Sequence, residues 1–160
     1  MTAVLASWVT SRGTSRAALQ PARVTAAAQQ AERQREARRS AYLVLIEHMH
    51  TAGGLYRQWH TAAVVEASTT SPTALQALRL EIRENHHGRF LPALHAVSLE
   101  GPETVAVAAA QVQDASTAVF KLLESVLAAP SRAGELDRSI VAFWDTVDKF
   151  STTARTARHP

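Results

Sequence analysis

A chain of 160 residues with 46% apolar content is long enough for one domain with its own core and too short for two comfortable ones. Aromatic residues make up only 6% and there are six glycines, which disfavours a turn-rich β fold and suits close-packed helices. With no cysteine, disulfide scaffolding, thiol catalysis and thiolate metal sites are excluded; seventeen Lys+Arg against fourteen Asp+Glu give a net charge of +3, too small a total to imply a nucleic-acid partner unless it is concentrated.

No run approaches the roughly 18–20 apolar residues of a membrane span. The opening stretch, Met1 to Val9, is apolar but lacks a basic n-region and is too short for a signal h-region with its cleavage site. The expectation is a cytoplasmic protein with no membrane contact. Residues 1–13 close on Ser11-Arg-Gly13 and read as a disordered N-terminus. From Thr14 the composition turns to Ala, Gln, Arg and Glu, all strong helix formers, with Thr14 or Ser15 as caps. Pro21 then requires either a start near Gln20 or a kink.

Tyr42, Leu45, Met49, Ala52, Tyr56, Trp59 and Ala63 step by three and four, the spacing of one face of a helix. That register passes straight through Gly53-Gly54. A loop would have no reason to keep the phase, so the periodicity predicts one continuous helix ending near Ser68, with a turn at the glycines as the alternative. Ser71 is a suitable N-cap and Pro72 a suitable first residue for a second helix, which carries Leu75, Leu78 and Ile82 on one face. Its apolar seam drifts afterwards through His86, Phe90, Leu94 and Val97, and Gly88 and Pro92 predict a kink.

Gly101-Pro102 is the next boundary, with Pro102 as the first helical residue and Glu103 at the positive end. The third helix has its seam at Val105, Ala108, Val112, Ala115, Val119, Leu122 and Val126, and Pro130 stops it. Ser131 is the expected cap of the fourth, whose seam is Leu136, Ile140, Phe143, Val147, Phe150, Ala154 and Ala157, flanked by Trp144.

Helices two to four each span about 26 residues, close to 40 Å at about 1.5 Å per residue, whereas the first is almost twice as long. Continuing its seam backwards reaches Arg38 and Arg35, which are poor candidates for burial, and then the weakly apolar Ala31, Ala28 and Val24. The expected fold is all-α: an antiparallel four-helix bundle, residues 40–158, whose long first helix projects its N-terminal half as a basic arm, residues 14–39.

Two Glu-x-x-His motifs, Glu47 to His50 and Glu84 to His87, match the spacing used by di-iron carboxylate bundles. The heptad phase turns all four residues outwards, and the motifs lie on consecutive helices, so no metal or other cofactor is expected. His48 and His50 lie about 200° apart on a helix and cannot chelate one ion together. His86 is the histidine nearest a seam and is expected to be a satisfied, buried or half-buried histidine rather than a ligand. No Ser-His-Asp arrangement, nucleophile elbow or glycine-rich phosphate loop stands out, so an enzyme is not expected.

The basic arm is the remaining signal. Residues 12–39 hold Arg12, Arg16, Arg23, Arg33, Arg35, Arg38 and Arg39 against Glu32 and Glu36, seven minus two giving +5. Arg23, Arg33, Arg35, Arg38 and Arg39 are the candidate binding residues. No aromatic residue interleaves with them, so nucleic-acid binding would be independent of sequence.

The run Gln34-Arg-Glu-Ala-Arg-Arg-Ser-Ala-Tyr42, followed by Val97-Ser-Leu-Glu-Gly-Pro102 and a long alanine-rich helix, resembles a class of small all-helical proteins of high-GC actinobacteria, including those of their plasmids and integrated elements. The likeness covers about Arg33 to Arg158. It implies a source and a fold and carries over no active site. The expected role is a non-enzymatic coiled-coil-like bundle acting through a protein partner or through self-association, with sequence-independent nucleic-acid binding by the arm as the alternative.

Overall fold

The computed structural model describes residues 4–157, with side chains from residue 24. Every regular element in that range is helical: α1 (Val4–His60), α2 (Pro72–Asn85), α3 (Leu91–Glu100), α4 (Glu103–Ala128) and α5 (Ala133–Thr156). α2 and α3 are joined through a single wide turn, so the described residues form four long helical segments. None is long and apolar enough to cross a membrane. The chain divides into two units, residues 1–37 and 38–160.

In the first unit the helix starts at Val4, so residues 4–13, expected without structure, are helical and Thr14 and Ser15 are interior rather than capping. Gly13 is the one poor helix former there besides the β-branched residues, and a lone glycine costs only about 1 kcal/mol. Residues 1–3 lie outside the described range. Of the weakly apolar face, Val24 is 69% exposed and Ala28 is exposed, while Ala31 is half-buried.

The second unit holds the core. On α1, Tyr42, Leu45, Met49, Ala52, Tyr56 and Trp59 are all buried, and α1 is continuous through Gly53-Gly54. Gly53 explains why the phase survives two glycines. A Cβ there would overlap Cζ2 of Trp144 on α5 and stand 2.7 Å from its Cε2, whereas a Cβ at Gly54 would meet nothing. Gly53 is thus the point where α1 lets an indole lie against its backbone. The helix ends earlier than the expected Ser68: a wide turn, Thr61–Val65, closes it, and the amide of Glu66 donates to the Thr61 carbonyl.

The α2 start is as expected. The Ser71 side chain accepts from the amide of Ala74 at 3.2 Å, and Pro72 occupies the first turn. The drifting seam has a physical resolution. Ile82, His86, Phe90 and Leu94 are all buried, yet three successive steps of four would wander about 120° around an α-helix. A π-helical turn, His86–Phe90, absorbs the drift, with the Leu91 amide donating to the His86 carbonyl five residues back. Pro92, which has no amide to donate, then sits in the first turn of α3.

Gly101 ends α3, and Pro102 precedes α4 as its N-cap residue rather than its first helical one. On α4 the buried line runs Val105, Ala108, Val112, Ser116, Val119, Leu123 and Val126. Ser116 and Leu123 therefore stand where the seam expected Ala115 and Leu122, which are half-buried. The reason is polar: Ser116 has a buried hydrogen-bond partner, so a hydroxyl that patterning assigns to the flank belongs inside. Ser131 does not cap α5. It lies in a short 3₁₀ turn, Pro130–Arg132, and the N-cap position falls on Arg132, which reaches forward to Glu135 at 2.7 Å. The α5 seam from Leu136 to Ala154 is buried at every expected position, with Ala157 half-buried.

Candidate functional site

Of the five arginines expected to carry binding, Arg33, Arg35, Arg38 and Arg39 are exposed on α1; the side chain of Arg23 lies outside the described residues. Arg33 and Arg35 belong to the first unit, Arg38 and Arg39 to the second. Arg35 pairs with Glu32 at 3.2 Å, both well exposed, so the pair contributes little. Within the first unit, helical geometry puts Arg35 on the same side as Val24, Ala28 and Ala31, and Arg33 on the opposite side.

The two Glu-x-x-His motifs do not come together. Glu47, His50, Glu84 and His87 are all exposed, and no group of three or more metal-binding side chains occurs among the described residues. His50 instead packs edge-on to Trp144, with ring centroids 5.2 Å apart, and His87 lies edge-on to Phe120 at 6.4 Å.

His86 is buried, as its position near the seam requires, within a polar chain that spacing does not reveal. Its Nδ1 is 3.2 Å from Ser116 Oγ, which is 2.8 Å from the hydroxyl of Tyr56. The imidazole stacks with Phe90, at 5.5 Å and 26° between planes, and with Phe120, at 5.7 Å and 17°. Burial, and secondarily the neighbouring His87, lowers its pKa, so the neutral ring is favoured. With Nδ1 accepting, Ser116 donates to it and Tyr56 donates to Ser116, which uses each hydroxyl once. Burial pushes the phenol of Tyr56 above its ordinary value, partly offset by the bond to Ser116. Ser116 is 0% exposed and Tyr56 1%, so this Ser–His contact is closed to a substrate. It links α1, the turn that follows α2, and α4.

Two surface clefts flank this core within the second unit. One, of about 460 Å³, lies along α1 beside Trp144, with His50, Gly53, Arg57 and Glu66 on its walls. The guanidinium of Arg57 stands 5.9 Å from the indole centroid. The other, of about 470 Å³, lies between α2 and α4 and is lined by Gln76, Arg79, Leu80, Arg83, His87 and Phe120, with Glu124 at the edge. Arg79, Arg83 and His87 are four apart and so share one face of the rod, at the edge of the π-helical turn. Arg79 is held by Glu124 at 2.5 Å, while Arg83 makes no ion pair among the described residues. Phe120 forms the wall between this cleft and His86.

Among the described residues, fold and surface define an all-α protein with a buried polar chain and surface clefts beside it. No family model matches the chain, and no curated protein or solved structure is significantly similar to it. The site features that patterning missed are cross-helix: Gly53 under Trp144, Ser116 between Tyr56 and His86, and Phe120 beside Arg79 and Arg83. The i, i+4, i+8 series of Arg79, Arg83 and His87 was the one signal available in advance.

Proposed function

We infer that this chain is a non-enzymatic, cytoplasmic bundle protein that works through protein contacts, with a second copy of itself as partner and the residue 14–39 arm as the contact. The arrangement proposed for its core is an antiparallel four-helix bundle. Cross-helix pairs support it by running in opposite order. Tyr42 meets Phe150 while Tyr56 meets Phe143, and Arg79 meets Glu124 while His86 meets Ser116.

The observation that carries the self-association reading is the exposed apolar face of the first unit. There Val24 is 69% exposed and Ala28, one turn on, is exposed as well. An apolar stripe favours a partner helix, and the arm carries both signs for it. Glu32 and Glu36 flank the face that holds Arg35, so two arms laid antiparallel would set acid against base. Light scattering of the full chain should give a dimer mass, and Val24→Asp with Ala28→Asp should return it to a monomer. A monomer mass for the parent chain at high micromolar concentration would overturn the reading.

A second reading is favoured by a separate observation: Arg33, Arg38 and Arg39 are exposed and make no ion pair among the described residues. Such cations suit a phosphate backbone without base recognition. Binding to mixed-sequence DNA with a steep salt dependence, lost on changing Arg33, Arg35, Arg38 and Arg39 to Ala, would favour this alternative over self-association.

A further inference from the structure

The cleft between α2 and α4 has a composition that neither the arm nor the core packing accounts for. Its two long walls differ in kind. Along α2, Arg79 and Arg83 stand one turn apart, and His87 extends the row by another. Across from them, Phe120 presents a ring whose far face is fixed against His86, and Leu80, 57% exposed, adds a second apolar surface at the mouth. At about 470 Å³ the space falls within the range that small-molecule sites occupy.

Each part is prepared for a ligand in a different way. The ring of Phe120 is immobilised by its nearly parallel contact with the buried imidazole, itself tied to Ser116, so stacking on it costs little ordering. Arg79 is already oriented by Glu124, which leaves its remaining donors directed by the pair. Arg83 has no acidic partner among the described residues and is the cation whose charge is unspent. The acidic groups nearby are Glu124, engaged by Arg79, and Glu84, on the rim of the adjoining surface hollow with Arg83 and His87. Within the π-helical turn, exposed His87 lines the cleft while its neighbour His86 is buried.

We propose that this cleft binds a small organic anion, a phosphate ester or carboxylate carried on a flat apolar body, with the anionic group at Arg83 and Arg79 and the body on Phe120 and Leu80. The chemistry requires both halves. An inorganic anion would meet exposed guanidiniums in competition with water, and a neutral ring would leave Arg83 uncompensated.

The test uses the full chain with 1-naphthyl phosphate as probe, compared with 1-naphthol and with inorganic phosphate, by fluorescence titration and by NMR. Naphthyl phosphate should saturate at sub-millimolar concentration and shift the resonances of Phe120 and His87. Naphthol and phosphate should each bind at least about tenfold more weakly, the loss expected when a charge-assisted pair or a stacked ring is removed. Arg83→Gln, at an exposed position where the fold is not at risk, should weaken the probe by a similar factor; Arg57→Gln, in the cleft beside Trp144, should change nothing. Equal affinity of naphthol and naphthyl phosphate, equal affinity of Arg83→Gln and the parent, or no saturation up to millimolar probe would each overturn the proposal.

Discussion

Gly53 and Gly54 are adjacent in one helix, chemically identical and differently placed, so the same substitution at each isolates a single packing event. Gly53 is buried, and a methyl group there would overlap Cζ2 of Trp144 and stand 2.7 and 2.9 Å from Cε2 and Cη2. Carbon atoms in good contact sit about 3.5–4.0 Å apart, so the indole must retreat by roughly 1 Å. It is hemmed in by His50 and Phe143, at 5.2 and 5.8 Å between ring centroids. Inserting a methylene-sized group into such packing costs about 1–3 kcal/mol. Against this stands the gain of about 1 kcal/mol from replacing glycine by alanine in a helix interior. Gly54 is exposed with nothing within reach, so Gly54→Ala collects that gain without the clash. The propensity gain cancels between the two variants, leaving Gly53→Ala about 1–3 kcal/mol less stable than Gly54→Ala. At about 2–4 °C per kcal/mol for a chain of this size, thermal unfolding should separate them by several degrees. A Trp144→Ala background should abolish the difference, since the obstructing ring is gone. Identical melting temperatures for the two single variants would mean that the indole does not lie against α1 as described.

Three further expectations follow from the core and its caps. Ser116→Ala should cost more than Tyr56→Phe, about 2–3 against about 1 kcal/mol by denaturant unfolding, because the first strands both the Tyr56 hydroxyl and His86 Nδ1 whereas the second leaves Ser116 bonded to His86; the reverse order would mean that Ser116 does not bridge the two. The folded-state pKa of His86 lies below its ordinary 6.5, so the unfolded chain takes up the proton first as the pH falls. Its contribution is therefore intact above about pH 6.5 and lost progressively as the pH drops from there towards the folded value, and a plot of melting temperature against pH should be flatter in that window for His86→Gln than for the parent. Ser71→Ala removes the acceptor for the Ala74 amide and should destabilise by about 1 kcal/mol, read from the denaturation midpoint, while Ser131→Ala, outside any cap, should leave it unchanged.

Where an apolar face repeats at three and four, a helix is legible because burial and periodicity are the same fact seen twice. That is why Tyr42 to Trp59 and Leu136 to Ala154 lie where their spacing puts them. The Ser71-Pro72 start is legible for a local reason, since a cap is written within three residues. Legibility fails where the deciding partner is distant in sequence. Ser116 is drawn inside by Tyr56, sixty residues away, and nothing in the alanine-rich context of α4 announces it. The start of α1 fails for a different reason: a single glycine weakens a helix by an amount that flanking helix formers outweigh, so Gly13 is not the stop that composition suggests. As for the clefts, a row of cations can be read along α2, but the ring facing it belongs to another helix and becomes visible only once the chain is folded.

The widened turn of residues 86–90 has a consequence for length. Ile82 and Leu94 are twelve positions apart and both buried. Eliminating Gly88 would set them eleven apart, or about 1100°, within about 20° of three complete α-helical turns. An uninterrupted regular helix could then bury both without any widening. The segment thus carries one residue beyond what covering its greasy side demands, and the loop of backbone that houses the surplus holds a covered imidazole directly beside a wet one, 5.1 Å between ring centres.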